Sequence, residues 1–219
     1  NPTLKATQLC PFCDNRLPDS PSARLLAALK VLKAKTWLDP LPENPFHRSA
    51  TSFRVYVDFC TQHRHEKSEI PQAAAAGWLL DVDFGGIFDR VSRNVVCLAA
   101  VKDDKENVFF KQALNVYKGD SLRMQGVSAQ YSHFDRIGAG YYGGPGNHII
   151  LTTLRHLFPK SSIPANDIHP LSYSIYLEEV LALEAAVLLI QDDLKLSYSD
   201  AVSVLRESRQ FGYNRYDID

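Results

Sequence analysis

The sequence predicts a mainly α fold with minor β, arranged as a compact helical domain. Three observations carry that expectation. Apolar residues recur every three or four positions through most of the chain, the stretch from Ser172 to Leu194 is apolar on nearly every face, and only one long segment, 121–147, loses the helical stripe. Residues 1–70 are expected to form a first subdomain and residues 71–219 a helical body around the irregular segment, within one continuous domain.

Near the start, Cys10-Pro11-Phe12-Cys13-Asp14 has the composition of a tight metal-binding turn, and a second pair follows at Cys60 and His63. Phe53, Tyr56, Val57, Cys60 and His63 fall at helical spacing, so Cys60 and His63 share one helix face. Cys10, Cys13, Cys60 and His63 then supply four ligands for one Zn²⁺, and four protein ligands close a tetrahedral shell with no position left for water. The expected cofactor is a structural Zn²⁺, with an N-terminal zinc knuckle clasped to a helix and no metal-borne hydrolysis. The alternative is a set of buried free thiols beside an unrelated surface histidine. His65 stands about 140° around the helix from Cys60 and is expected to aim elsewhere. Cys97, inside the apolar run Val95 to Ala100, reads as a core thiol.

The elements follow in order. Pro18 to Ser22 supplies an N-cap and an early proline for a helix bearing Leu25, Leu26, Leu29 and Leu32. Asp39 to Pro45 carries too many prolines for regular structure and reads as a loop leading to the Cys60 helix. Pro71 ends that helix or begins a short successor. Phe84, Ile87, Phe88, Val91, Val95 and Leu98 continue the helical period, and Val108, Phe109, Gln112 and Val116 begin a short helix that Gly119 can end. Glycines then accumulate through 121–147, where some residues are expected to pair as short strands. His148 to Phe158 is helical up to Pro159, Ser172 to Leu194 is the longest and central helix, and Ser197 to Asp200 caps a final helix with Ala201, Val204, Leu205 and Phe211.

The 219 residues, 45% hydrophobic and 22% charged, are enough for a proper core. No apolar run is long enough for a bilayer-spanning helix, so no membrane partner is expected. Four cysteines, three of them assigned to metal, point to a reducing compartment, nuclear or cytoplasmic. Formal net charge is −1, so any nucleic-acid surface must be local. Basic residues gather at His63, Arg64, His65 and Lys67; at Lys111, Lys118, Arg123 and Arg136; and at Arg206, Arg209 and Arg215. The bland reading of each group is a solvated face.

Several chemistries fail on spacing. His65-Glu66-Lys67-Ser68-Glu69 lacks the second histidine of the HExxH protease pattern, and a CxxC that comes first does not fit the nucleobase deaminase order. Gly140-Tyr-Tyr-Gly-Gly-Pro-Gly146 opens a helix and can present amides to an anion, but it has neither a Walker lysine nor GxGxxG spacing. Around it lie Lys118, Arg123, Gln125, Gln130, Tyr131, His133, Arg136, Tyr141, Tyr142, Gly143 and Gly144. Those residues have the composition of a nucleic-acid surface: aromatic faces for stacking, Gln and Arg for base edges, and glycines for close approach. Composition alone favours the alternative, a packed loop whose tyrosines bury their rings and hydrogen-bond their hydroxyls.

The ordered set Cys10-Pro-Phe-Cys-Asp14, Leu17-Pro18, Phe59-Cys60, His63-Arg64, Glu66 and Ile70-Pro71 resembles the fungal restriction of telomere capping protein 4-like domain. Gly77-Trp78, Asp83-Phe84, Arg90-Val91, Gly140-Tyr-Tyr-Gly143, Leu205-Arg-Glu-Ser208 and Phe211-Gly212 resemble its later blocks. At the turn after Tyr142 the family is expected to run Gly-Pro-x-Gly, where this chain has Gly143-Gly144-Pro145-Gly146. The resemblance implies a nuclear, telomere- or chromatin-associated role without enzyme activity. The expectation is a non-enzymatic, zinc-stabilised module that binds duplex DNA or a chromatin protein. In a sharper form it reads duplex shape or a modified base such as a modified cytosine, with Tyr141 or Tyr142 stacking. The alternative is a protein–protein scaffold that docks through its last helices.

Overall fold

The computed structural model describes residues 9–119 and 137–216, the side chains of 118 and 119 excepted. The backbone gathers into two compact units that divide after Gly77.

In the N-terminal unit, Leu9 bridges Arg16, Cys10 N–H donates to Asn15 O (2.7 Å), and Asp14 adopts a left-handed φ of 58°, which folds Cys10 to Cys13 into a knuckle. Helix α1 (Ala23–Lys35) starts at Ser22, whose hydroxyl accepts from Leu25 N–H. The short strands β1 (Trp37–Leu38) and β2 (Arg48–Ser49) pair antiparallel, Trp37 opposite Ser49, on either side of the proline loop. Asn44 pins that loop to the knuckle, its amide donating to Cys10 O (3.0 Å) and Asp14 Oδ1 (2.7 Å). The minor β of the described residues thus lies here, beside the Asp39 to Pro45 segment, and not in 137–147. The remainder of 121–147 is outside the described residues.

Helix α2 (Val57–Arg64) runs through one wider π turn (His65–Glu69) into α3 (Ile70–Ala75) without a break. Pro71 follows directly on the π turn within this continuous run, and Gly77 ends the run at φ +74°. The division after Gly77, several residues beyond 70, follows from this continuity. Cys10, Phe12, Leu25, Leu32, Phe59 and Cys60 form the unit's core, with Phe12 stacked on Tyr56 at 5.1 Å.

The second unit contains α4 (Ile87–Arg93), α5 (Val95–Ala100), α6 (Val108–Gly119), α7 (Gly143–Leu157), α8 (Ala165–Ile168), α9 (Tyr173–Tyr176), α10 (Ala182–Leu194), α11 (Tyr198–Glu207) and α12 (Arg209–Tyr216). A π turn, Leu177–Leu181, joins α9 to α10 in one rod, and Leu177, Val180, Leu183, Ala186, Val187 and Ile190 are all buried along it. Helices α4, α7 and α11 pack around that rod.

Three sequence expectations change. The stripe from Phe84 to Leu98 is broken at Asn94, which leaves the helical region and folds its side chain back onto Arg90 O (3.0 Å). The final helix is likewise two helices, α11 and α12, interrupted at Ser208. Cys97 is exposed, not a core thiol, because on the single short turn of α5 only Leu98 is buried and Val96 stands 78% exposed.

Helix α7 begins at Gly143, five residues before the expected His148, since glycines carry no apolar stripe to reveal a helix. Their placement has a packing cause. A Cβ on Gly212 would stand 2.1 Å from Gly140 O and 2.8 Å from Gly143 N, so α12 crosses the 140–143 turn backbone to backbone. Gly140 and Gly143 also hold φ of 62° and 60°, a region side chains disfavour.

Candidate metal centre and tyrosine cluster

The knuckle and α2 bring Cys10, Cys13, Cys60 and His63 together, their ligand atoms all within 4.8 Å of one another. Cys10 Sγ lies 3.9 Å from Cys60 Sγ, and Cys13 Sγ lies 3.2 Å from His63 Nε2. A disulfide requires about 2.05 Å, so these are separate thiols. A tetrahedral metal with bonds of about 2.3 Å to sulfur holds neighbouring sulfurs roughly 3.8 Å apart, which matches the Cys10–Cys60 separation.

Cys10, Cys60 and His63 are buried, and Phe12 N–H points at Cys10 Sγ (3.4 Å), as a backbone amide does at a thiolate. His65 is buried outside the cluster, its Nδ1 2.7 Å from Glu69 Oε2. The hydrogen bond from Cys60 pulls the Cys10 thiol down to about 4. Burial pushes Cys13 up, and the same bond to Cys10 pushes Cys60 far up. The three sulfurs cannot all carry charge together without a cation, and a divalent ion supplies that missing charge. The residues present therefore fit a metal ion, and the expected ligand set is the one the fold assembles.

The Gly140 to Gly146 segment is built for a different task. Tyr141 and Tyr142 are completely buried, their rings stacked at 4.9 Å, and both hydroxyls donate to Asp193 Oδ2, Tyr141 at 2.8 Å. Arg90 completes the cluster, reaching Asp193 Oδ1 (2.6 Å), Asp192 Oδ2 (3.1 Å) and Leu189 O (3.1 Å). Burial pushes both tyrosines well above the usual phenol range. A base can stack only on an exposed ring, so the expectation of Tyr141 or Tyr142 as a stacking group is corrected. Gly143 is buried against α12, and Gly144 is exposed at the start of α7. Arg123, Gln125, Gln130, Tyr131, His133 and Arg136, with the Lys118 side chain, lie outside the described residues.

The model of the RTC4-like domain family matches residues 102–214, more than half of the chain. The chain belongs to the RTC4-like domain family. No curated protein and no solved structure matches it. The RTC4-like match spans the tyrosine turn, Asp193 and the Gly212 crossing, whereas the metal centre and Arg90 precede it.

Within the RTC4-like segment the structure adds polar residues that sequence spacing did not mark. Asn107 caps α6, its Oδ1 accepting from Phe109 N–H (3.0 Å) and Phe110 N–H (3.1 Å), and its amide donates to buried Glu184 (3.1 Å). Tyr198 Oη donates to the same carboxylate at 2.9 Å. Burial raises the Glu184 pKa, with both hydrogen bonds opposing it. A carboxyl raised in the fold stabilises most below its ordinary value of 4.5, and that contribution is lost as pH rises through the folded value. Glu184→Gln, which keeps the accepting oxygen without charge, is expected to stay within about 1 kcal/mol of wild type at neutral pH. Wild type should gain on the variant as pH falls, which thermal unfolding against pH measures.

Proposed function

We propose that the chain is a non-enzymatic DNA- or chromatin-binding module of a telomere- or chromatin-associated protein, its N-terminal unit held by a structural Zn²⁺. The observation that carries the reading is the closed Cys₃His cluster. Four protein ligands, three of them buried, leave no coordination position for a substrate, so the metal serves architecture. Three thiols and one imidazole gathered within 4.8 Å of one another favour Zn²⁺ among common divalent ions. The resemblance of the sequence to the restriction of telomere capping protein 4-like domain supplies the telomere association. A nuclear location accords with thiols kept reduced for metal.

Binding of the full zinc-loaded chain to a 20-base-pair duplex, followed by fluorescence anisotropy, tests this reading. Micromolar affinity that weakens steeply with salt is expected, and no detectable binding at low salt would overturn the DNA reading. The exposed Trp37, Leu38, Phe46 and Phe53 favour a second reading, docking of a protein partner, which salt would weaken little.

A further inference from the structure

The basic side chains of the chain divide into those the fold uses and those it leaves to solvent. Of the groups marked in the sequence, His63 belongs to the metal centre and Arg64 donates to Cys60 O (3.1 Å). Lys67 pairs with Asp19 (3.4 Å) and Lys111 with Glu106. Arg209 holds Gly138 O (3.1 Å), and Arg215 holds Asp81 (2.7 Å) and Leu80 O (3.1 Å). Each of these charges already has a partner, whereas Arg206 is exposed on α11.

Helix α1 is different. Its thirteen residues, Ala23–Lys35, contain Arg24, Lys30, Lys33 and Lys35 and no acidic residue. Lys30, Lys33 and Lys35 are exposed, and among the described residues their ammonium groups make no ion pair or hydrogen bond. Leu26, Lys30 and Lys33 stand at i, i+4 and i+7, one stripe on the solvent side, with Leu26 52% exposed.

Lysines in a last helical turn ordinarily need no explanation, because they answer the helix dipole and its open carbonyls. Here that position is already taken. Arg48 reaches from β2 to Lys33 O (2.8 Å) and Thr36 O (2.5 Å), and its Nε donates to Thr36 Oγ1 (2.8 Å). The lysines therefore add to a charge that is already positive, and nothing on the helix neutralises them.

The opposite face of α1 fixes where this stripe points. Leu25 and Leu32 sit in the same core as Cys10 and Cys60, and Glu66, on the π turn after α2, binds Ser22 N–H (3.0 Å) and Oγ (2.5 Å) at the helix start. The metal clasp thus presents α1 as a rigid basic ridge.

We propose that α1 docks on the phosphate backbone of duplex DNA through Lys30 and Lys33, which rests on the DNA reading above and assigns it a surface. Lys35 lies about 140° around the helix from Lys30 and stands outside that stripe. The charge density fits. Lys30 to Lys33 spans about 4.5 Å of helix axis, and duplex DNA presents roughly two to three phosphates over that length. Contacts of this kind position the protein without reading sequence.

The test compares the full zinc-loaded chain with the double variant Lys30→Gln, Lys33→Gln on the same 20-base-pair duplex across a salt titration. Each lost phosphate contact removes about 0.9 from the log–log salt slope, so the variant should lose about 1.8. Between 50 and 200 mM salt, wild-type affinity should then fall roughly 12-fold more than that of the variant. Zinc content and thermal unfolding should match wild type, which separates a lost contact from a lost fold. An unchanged slope and affinity in the variant would overturn the α1 assignment and leave the DNA reading standing. No binding by either chain would overturn both. Equal wild-type affinity for a polyglutamate peptide at the same salt would overturn the commitment to nucleic acid.

Discussion

Cys60→Ala is expected to empty the metal centre and unfold the N-terminal unit, while the helical body from Trp78 onward stays folded. The expectation follows from how little else holds that unit. Six buried residues form its core, and two of them, Cys10 and Cys60, belong to the candidate metal cluster. Removing Cys60 leaves only three of the four candidate ligands and a void beside Phe12 and Phe59. Structural zinc contributes about 10–16 kcal/mol of apparent binding energy in small metal-dependent folds, more than a core of this size supplies by itself. Elemental analysis should show zinc falling from about one per chain to none. Amide exchange should show protection lost through 9–77 and kept through the central rod. Cys97→Ala is the control, since Cys97 is exposed and outside the cluster. Unchanged zinc and unchanged protection in Cys60→Ala would refute the ligand set.

The grouping of Cys10, Cys13, Cys60 and His63 was legible in the sequence because its information is local. Cys10 and Cys13 share one tight turn, and Cys60 and His63 share one helix face, so spacing alone limits what each pair can reach. The long apolar rod was legible for the same reason, since burial on every face leaves a mark at every position. What spacing does not show is which neighbour a residue meets. The glycines at 140, 143 and 212 take their roles from a partner far along the chain, and a run of apolar letters at 95–100 reads alike whether it faces a core or, as at Val96 and Cys97, solvent. The lysines of α1 were visible as letters. Their proposed role rests on having no partner among the described residues, which only the placement of Arg48 and of the paired basic groups reveals.

Asp193→Ala is expected to destabilise the helical body by about 2–4 kcal/mol, chiefly the cost of leaving two buried tyrosine hydroxyls without their acceptor. One carboxylate on α10 takes both tyrosine hydroxyls and the Arg90 guanidinium, so it joins α4, the 140–142 turn and the central rod at a single point. With the carboxylate gone, two phenols and a guanidinium lose an acceptor in a place where the rings admit no solvent. Urea unfolding followed by far-UV circular dichroism measures the loss. Asp193→Asn should fall between wild type and Ala, because it keeps an accepting oxygen and gives up the charge. Tyr142→Phe separates the packing role from a recognition role. As a base-stacking residue Tyr142 would keep its ring in the variant and lose little of anything, or lose DNA affinity at constant stability. As a buried strut it should lose about 1 kcal/mol of stability and leave duplex affinity under native conditions unchanged. A fall in duplex affinity without a fall in stability would return the tyrosine turn to the recognition surface.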